Sequence, residues 1–258
     1  MTSHMHWKAG GVSVAGFDHE EDDIPCQDAH AYKIRNDGWL IAAVADGAGS
    51  ARKSHIGAQA YVEALVNHFS AEPNLSSLPV GHVTDAFIVS VNTVTRELVE
   101  TYASADISRS DFAATIVMVI SNSDGGMFFH VGDGAGAALK LADPSEAAIS
   151  EPQNGEYANE TYFVTMDNWE DHLRVTPFDS GFDTVLLMSD GVTPMAMTKG
   201  CKSPFLSFVR PVIQYLLKVD AEVGQDALRN TLTLDKIRAV TGDDKTLFWA
   251  SKPPLLQT

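Results

Sequence analysis

Cysteine is scarce in this chain. Cys26 and Cys201 are the only two in 258 residues, far apart and in no C-x-x-C arrangement. Neither a disulfide framework nor a thiolate zinc site is indicated. Positive charge is also short, with 18 Lys and Arg against 34 Asp and Glu and a formal net charge of −16. Such a surface repels nucleic-acid backbones and anionic membranes, so no nucleic acid and no membrane is expected as a partner. Long apolar runs are missing too: Trp39 to Ala45 and Phe112 to Ile120 are too short to cross a bilayer. The N-terminal MTSHMHWKAG has no apolar signal core. His4 and His6 fall within residues 1–8, which are read as flexible, and receive no function. No repeat, low-complexity tract or Pro/Gly/Ser linker divides the chain. One cytoplasmic domain over residues 1–258, acting as a monomer, is expected.

What is present describes a globular protein: 45% hydrophobic and 20% charged residues, in a chain long enough for a substantial core. Ala9 to Gly16, Ala29 to Ile34 and Trp39 to Ala45 read as strands, the last two joined by the hairpin signal Asn36-Asp37-Gly38. In SHIGAQAYVEALVNHF, Ile56, Ala60, Ala64 and His68 recur every four residues, widened by Tyr61, Leu65 and Phe69. A second helix carries Phe87, Val91, Val94, Leu98 and Tyr102 on one stripe, with Thr84 read as its N-cap. AATIVMVIS, MFFHV and GAALKL return to strand character, with SDGG as a turn after the first. Residues 143 to 181 read as a long irregular, polar segment, of the kind that forms lids or binding loops. FDTVLLMSDGV is then a buried strand, residues 204 to 218 a helix interrupted at Pro211, and KTLFWAS a closing strand. Hairpins, then helices, then strands imply helices layered on antiparallel sheets and not a Rossmann alternation.

The acidic-Gly pairs sort by context. Asp37-Gly38 and Asp124-Gly125 lie between two strands, where a hairpin turn explains them, and Asp133-Gly134 is ambiguous. Asp46-Gly47 and Asp190-Gly191 each follow an all-apolar strand and precede loop or helix. A carboxylate at such a place needs a cation or hydrogen-bond donors. Asp243-Asp244 directly precedes the last strand, and Asp28 precedes the strand beginning at Ala29. Carboxylates gathered at strand ends make an all-oxygen donor set, which suits Mg²⁺ or Mn²⁺ better than zinc or copper. Gly47 and Gly49 let backbone approach an ion or anion closely. Each of these aspartates also has a bland reading as a cap or turn.

In their order, GGVSVAGFDHEEDDIPCQDAH, VADGAGSA, DFAATIVMVI, FFHVGDGAGAAL, DTVLLMSDGV and GDDKTLFWA resemble the metal-dependent protein phosphatase 2C family, in its compact bacterial branch. The resemblance implies an α+β fold, a four-layer α-β-β-α sandwich of two antiparallel sheets flanked by helices. It implies hydrolysis of phosphoserine or phosphothreonine in proteins by a water activated between two Mg²⁺ or Mn²⁺ ions, with a third ion in some members. Two such ions roughly 3.5–4 Å apart lower the pKa of a shared water and stabilise the phosphoryl charge. On this resemblance Asp46, Asp190 and Asp243 are catalytic. Asp46 bridges both ions, the Gly47 carbonyl binds one, Asp190 and Asp243 hold the other, Asp28 acts through water, and Asp133 is a ligand of the third. The partners implied are a phosphorylated protein substrate and a cognate serine/threonine kinase. No sensor domain is read in the chain, so regulation is expected from partners or expression.

Two departures stand out. Where eukaryotic members often carry His after the Asp-Gly pair, this chain has Ala48, and the segment in which they place a phosphate-binding Arg reads FDHEEDDIPCQDAH. His19 is the nearest substitute, with Arg52, Lys53 or His55 able to contribute from the loop after Asp46, so His19 and Arg52 are taken as phosphate-binding. A contact through His19 would respond to pH near neutrality, unlike one through Arg. Residues 143–181 stand in the place of the family's flap. His30, His68 and His130 are read as core histidines, and Glu20 to Asp23 as a solvated acidic loop. The spaced glycines at 47–49 and 132–136 complete no nucleotide fingerprint, and there is no Gly-x-Ser-x-Gly elbow. The alternative function is a catalytically silent phosphatase-fold module that binds a phosphoprotein or partner.

Overall fold

The structure, a computed structural model, describes residues 7–21, 24–75, 78–103, 106–143, 146–153 and 161–252. His4 and His6 lie outside these, as does most of GEYANET. Among the described residues, ten strands form two antiparallel sheets. One contains β1 (Lys8–Val14), β6 (Ala135–Leu139), β7 (Ala147–Ser150), β9 (Thr184–Met188) and β10 (Lys245–Ser251), in the order β1-β10-β9-β6-β7. The other contains β2 (Ala29–Ile34), β3 (Leu40–Ala45), β4 (Ile116–Ser121), β5 (Gly125–Val131) and β8 (Arg174–Asp179), in the order β2-β3-β4-β5-β8. The sheets face each other across Leu40, Ala42, Val44, Val117, Val119, Phe128, Val185, Leu187 and Phe248. Alternation explains the other faces: Ile41, Ala43, Ile116 and Met118 point outward to a helical layer. Strands greasy on both faces, such as LIAAVA and IVMVIS, are those covered on both sides.

That helical layer is α2 (Ser54–Ala71) and α3 (Val80–Thr101), whose Tyr61, Leu65, Phe69, Phe87 and Val91 are buried against the second sheet. The first sheet is covered by α4 (Thr193–Ala196), α5 (Leu206–Leu216), α6 (Ala221–Leu232) and α7 (Asp235–Arg238) through Val209, Ile213, Leu228 and Leu232. The result is the expected four-layer α-β-β-α sandwich. A short helix, α1 (Phe17–Glu21), sits at one end of it. No described helix is long and apolar enough to cross a membrane.

Several local readings are corrected. Thr84 is not the N-cap: α3 starts at Val80, and the Thr84 hydroxyl donates back to the Val80 carbonyl at 2.9 Å. Pro211 does not break α5, because the stripe Val209, Ile213 and Leu216 keeps the helix on the sheet through the proline. His68 is exposed, since the buried face of α2 centres on Tyr61, Leu65 and Phe69. His130 is a core histidine as read, whereas His30 is half-buried, its Nδ1 2.9 Å from the Ser13 hydroxyl. The His130 Nδ1 is 2.9 Å from the Ser150 hydroxyl, and burial, then Arg174, holds its pKa well below the usual value. Within residues 1–8, Trp7 is buried between the sheets and Lys8 begins β1. The 143–181 segment is not wholly irregular, for it supplies the edge strands β7 and β8.

Candidate metal centre

Antiparallel register brings the acidic positions together. Ala29 of β2 pairs with Ala45 of β3, so Asp28 enters one strand beside the point where Asp46 leaves the other. In the other sheet Leu247 pairs with Met188, which sets the end of β9, and Asp190, beside the loop that opens β10. Asp133 lies in the turn 132–134, where the chain crosses from β5 in one sheet to β6 in the other. The ambiguous Asp133-Gly134 is therefore a crossover between sheets and no hairpin. All these ends open at one edge of the sandwich.

A cleft of roughly 200 Å³ lies there, lined by His19, Asp46, Gly47, Asp133, Asp190 and Asp243 among others. Carboxylate oxygens of Asp46, Asp133 and Asp190 all come within 4.8 Å of one another. Asp46 and Asp133 are each buttressed by a threonine. The Asp46 N–H donates to the Thr115 hydroxyl at 3.1 Å and its carbonyl accepts from the Thr115 N–H at 2.8 Å. Gly47 is pressed so close that a Cβ there would stand 2.7 Å from the Gln27 carbonyl and 2.8 Å from the Ser54 Cβ. Asp133 accepts a hydrogen bond from the Thr161 hydroxyl. Asp243 is exposed at the rim and accepts from the Thr241 hydroxyl at 2.8 Å.

Behind them Asp28 is buried, with Oδ2 accepting from the Ser189 hydroxyl at 2.7 Å and Oδ1 without a hydrogen-bond donor among the described residues. Burial pushes its pKa up to about 7, the Ser189 hydrogen bond opposing and the Asp244 charge reinforcing. Burial, then the charges of Asp28 and Asp190, raises Asp46 well above the usual carboxylate range. Burial and Asp133 take Asp190 up to about 6. A side-chain hydrogen bond between Asp46 and Asp190 adds to the rise of Asp46 and opposes that of Asp190.

The donor set fits hard divalent cations. Acidic side chains crowd a cleft with no Lys or Arg among the described residues that line it, one buried carboxylate oxygen has no donor among the described residues, and the three clustered side chains offer oxygen. Asp46, Asp133 and Asp190 are placed to hold an ion, with Asp28, Asp243 and Gly47 beside them. His19 also reaches the cleft. Arg52 does not, and the expectation for it is corrected. Its Nε bonds Asp111 at 2.6 Å and its Nη1 bonds Asp106 at 2.9 Å, which turns the guanidinium away from the carboxylates.

Sequence reasoning missed four residues here. Asp244 stands beside Asp243 but is buried and takes three donors: the Gly16 N–H at 2.7 Å, the Gln27 N–H at 2.5 Å and His19 Nδ1 at 2.9 Å. Ser189 both donates to Asp28 and accepts from the Thr246 N–H at 2.9 Å. Thr115 and Thr161 buttress Asp46 and Asp133. Doubled Asp before a strand was a visible signal for Asp244; for the hydroxyls there was none.

The chain is 29% identical to serine/threonine-protein phosphatase 3 of Escherichia coli (strain K12), covering 95% of this chain and all of that one. Among solved structures, the S. agalactiae serine/threonine phosphatase matches with a TM-score of 0.67 at 17% identity, over 95% of this chain and 99% of its own. The catalytic domain of the serine/threonine phosphatase PstP, described in complex with 2 manganese ions, matches with a TM-score of 0.60 at 16% identity, over 95% and 97%. Residues 15–233 match the family described as Protein phosphatase 2C, and with the greater part of its length so matched the chain belongs to that family.

Proposed function

We propose that the protein is a metal-dependent serine/threonine phosphatase hydrolysing phosphomonoesters in proteins, with Mg²⁺ or Mn²⁺ held by Asp46, Asp133, Asp190 and Asp243 and by the Gly47 carbonyl, Asp28 acting through water. The observation that carries this reading is the meeting of the Asp46, Asp133 and Asp190 oxygens within 4.8 Å in a cleft where no described lining residue is Lys or Arg. Isolated from cations, such a cluster binds protons; two divalent ions in their place, with a third on Asp133, relieve the same repulsion. When bound, such ions supply an acidified water as nucleophile and positive charge for the phosphoryl oxygens. The chain's own part is positional. Rigid strand ends fix the carboxylates, and small residues at Gly47, Ala48 and Gly49 leave room for a phosphate. Asp46, Asp190 and Asp243 are the residues on which the chemistry depends, and His19 contacts the phosphate in place of an arginine.

On this reading the protein is a bacterial, cytoplasmic monomer, one domain in which the part of 143–181 between β7 and β8 acts in the choice of protein substrate. Its partners are phosphorylated proteins and the kinase that modifies them. A silent binding module is the lesser reading, since recognition alone gives no reason to crowd unpaired carboxylates. Turnover of p-nitrophenyl phosphate with Mn²⁺, lost with chelator and in Asp46→Asn, is the expected result. Metal-independent turnover, or tight Mn²⁺ binding with no turnover of any phosphopeptide, would overturn it.

A further inference from the structure

Hydrolysis of a phosphoserine or phosphothreonine leaves an alkoxide, a poor leaving group unless it is protonated as the P–O bond breaks. The cleft wall offers little for that task. Ala48 brings no proton, Gln27 and the threonines are neutral, and the carboxylates are claimed by the ions on the proposed reading. Among the described residues that line the cleft, His19 is the one imidazole, one-fifth exposed on the same wall.

Its geometry is built. His19 Nδ1 lies 2.9 Å from Oδ1 of Asp244, a carboxylate that is itself 5% exposed. Asp244 also accepts the Gly16 and Gln27 N–H groups at 2.7 and 2.5 Å. Those donors hold the Asp244 carboxyl in place as the group that orients the His19 ring through Nδ1. Nε2 is then the nitrogen left for the cleft, and it has no hydrogen-bond partner among the described residues. The backbone holds the ring's base: the Asp18 N–H donates to the Gly242 carbonyl at 3.3 Å and the Ile24 N–H to the His19 carbonyl at 2.9 Å. The Asp18 bond and that from Gly16 already fasten the start of α1 to the 242–244 loop. The His19–Asp244 bond is not needed for the fastening, and what it adds is a fixed ring orientation.

We infer that His19 is the general acid of the reaction, with Asp244 as its positioning residue; this rests on the phosphatase reading above. In the step, a water oxygen bonds to phosphorus and the ester P–O bond breaks, its electron pair passing to the ester oxygen. The proton on His19 Nε2 passes to that oxygen, giving the neutral alcohol and inorganic phosphate. The neutral imidazole regains a proton from solvent.

The test compares leaving groups in the Mn²⁺-loaded protein. Wild type, His19→Gln and Asp244→Asn are assayed on p-nitrophenyl phosphate, whose leaving group is already acidic, and on phenyl phosphate and a phosphothreonine peptide. His19→Gln is expected to lose about 10²-fold more kcat/KM on the peptide than on p-nitrophenyl phosphate, with phenyl phosphate between, and Asp244→Asn about 10-fold more. Added imidazole is expected to restore peptide turnover in His19→Ala, which keeps the question open to a decision even if the Gln variant folds poorly. An equal loss on all three substrates, with no rescue, overturns the inference and leaves His19 as a phosphate contact. A wild type inactive on every phosphomonoester overturns the phosphatase reading itself, and this inference with it.

Discussion

Asp46 and Asp111 are served by the same loop and live under opposite electrostatics. At its start, Asp46 faces Asp28, Asp133 and Asp190 in a cleft where no described lining residue is Lys or Arg, and its pKa is driven up. At its end, Arg52 grips Asp111, and that hydrogen bond, with the Ser108 N–H, holds the Asp111 carboxyl well below the usual range. The second arrangement is how a protein ordinarily satisfies an acidic side chain. The first is stable only with protons or cations from outside. A cluster of that kind marks a binding site because the fold has withheld the partners it supplies a short distance away.

The strongest way to break the contrast is Asp190→Asn. It removes a carboxylate from the cluster and is expected to lower Mn²⁺-dependent kcat on p-nitrophenyl phosphate by at least about 10³-fold. Thermal unfolding of the same variant without metal should show no loss of stability, since one repelling charge has gone. Next in size is the response to metal. Saturating Mn²⁺ at roughly 100 times its Kd should stabilise wild type by about 2.7 kcal/mol, seen as a rise in Tm of about 5–10 °C. In Asp46→Asn that rise should shrink to a small fraction.

Removing the metal exposes the third effect. Asp28 at about 7 and Asp190 at about 6 are raised above their unfolded value of 3.8, so between about pH 4 and 7 the folded state holds protons that the unfolded chain releases. This contribution is fully present below the unfolded pKa and is lost as pH rises through the folded values. Metal-free Tm should therefore fall by about 5 °C from pH 5 to pH 8, and Mn²⁺ should flatten the slope. Asp111 acts with the opposite sign, its contribution being lost only in acid as pH falls below the usual carboxylate range. The smallest effect belongs to Arg52→Ala. Its half-exposed guanidinium makes surface pairs, so Tm should move by no more than about 3 °C and kcat/KM on p-nitrophenyl phosphate by less than about 2-fold. A large kinetic loss would return Arg52 to the phosphate site.

Where pattern and packing agreed, the fold was legible. β2 was read to the residue and β3 within one, because Asp37-Gly38 between apolar runs has one good solution, with Gly38 at φ 89°. α6 went unread, for only Gly224, Leu228 and Leu232 of it are buried and most of its surface is polar. β7 and β8 went unread for a related reason: they are edge strands, largely half-buried or exposed, without a run of apolar residues to announce them. Of the candidate site, Asp28, Asp46, Asp190 and Asp243 stood out because they close or open apolar strands, whereas Asp133 was ambiguous by context and was singled out only by the resemblance. His19 was noticed and its partner was not, since the bond to Asp244 spans 225 positions of sequence.

The sequence by itself determined that carboxylates would stand at the ends of buried strands, with tiny residues beside them. Apolar runs demand burial, and an aspartate ends them wherever it falls. Only the tertiary structure decided which carboxylates meet each other, which meet Arg52, and which one orients His19. Coulombic and hydrogen-bond energies depend on separation in space, and strand register together with the stacking of two sheets sets those separations.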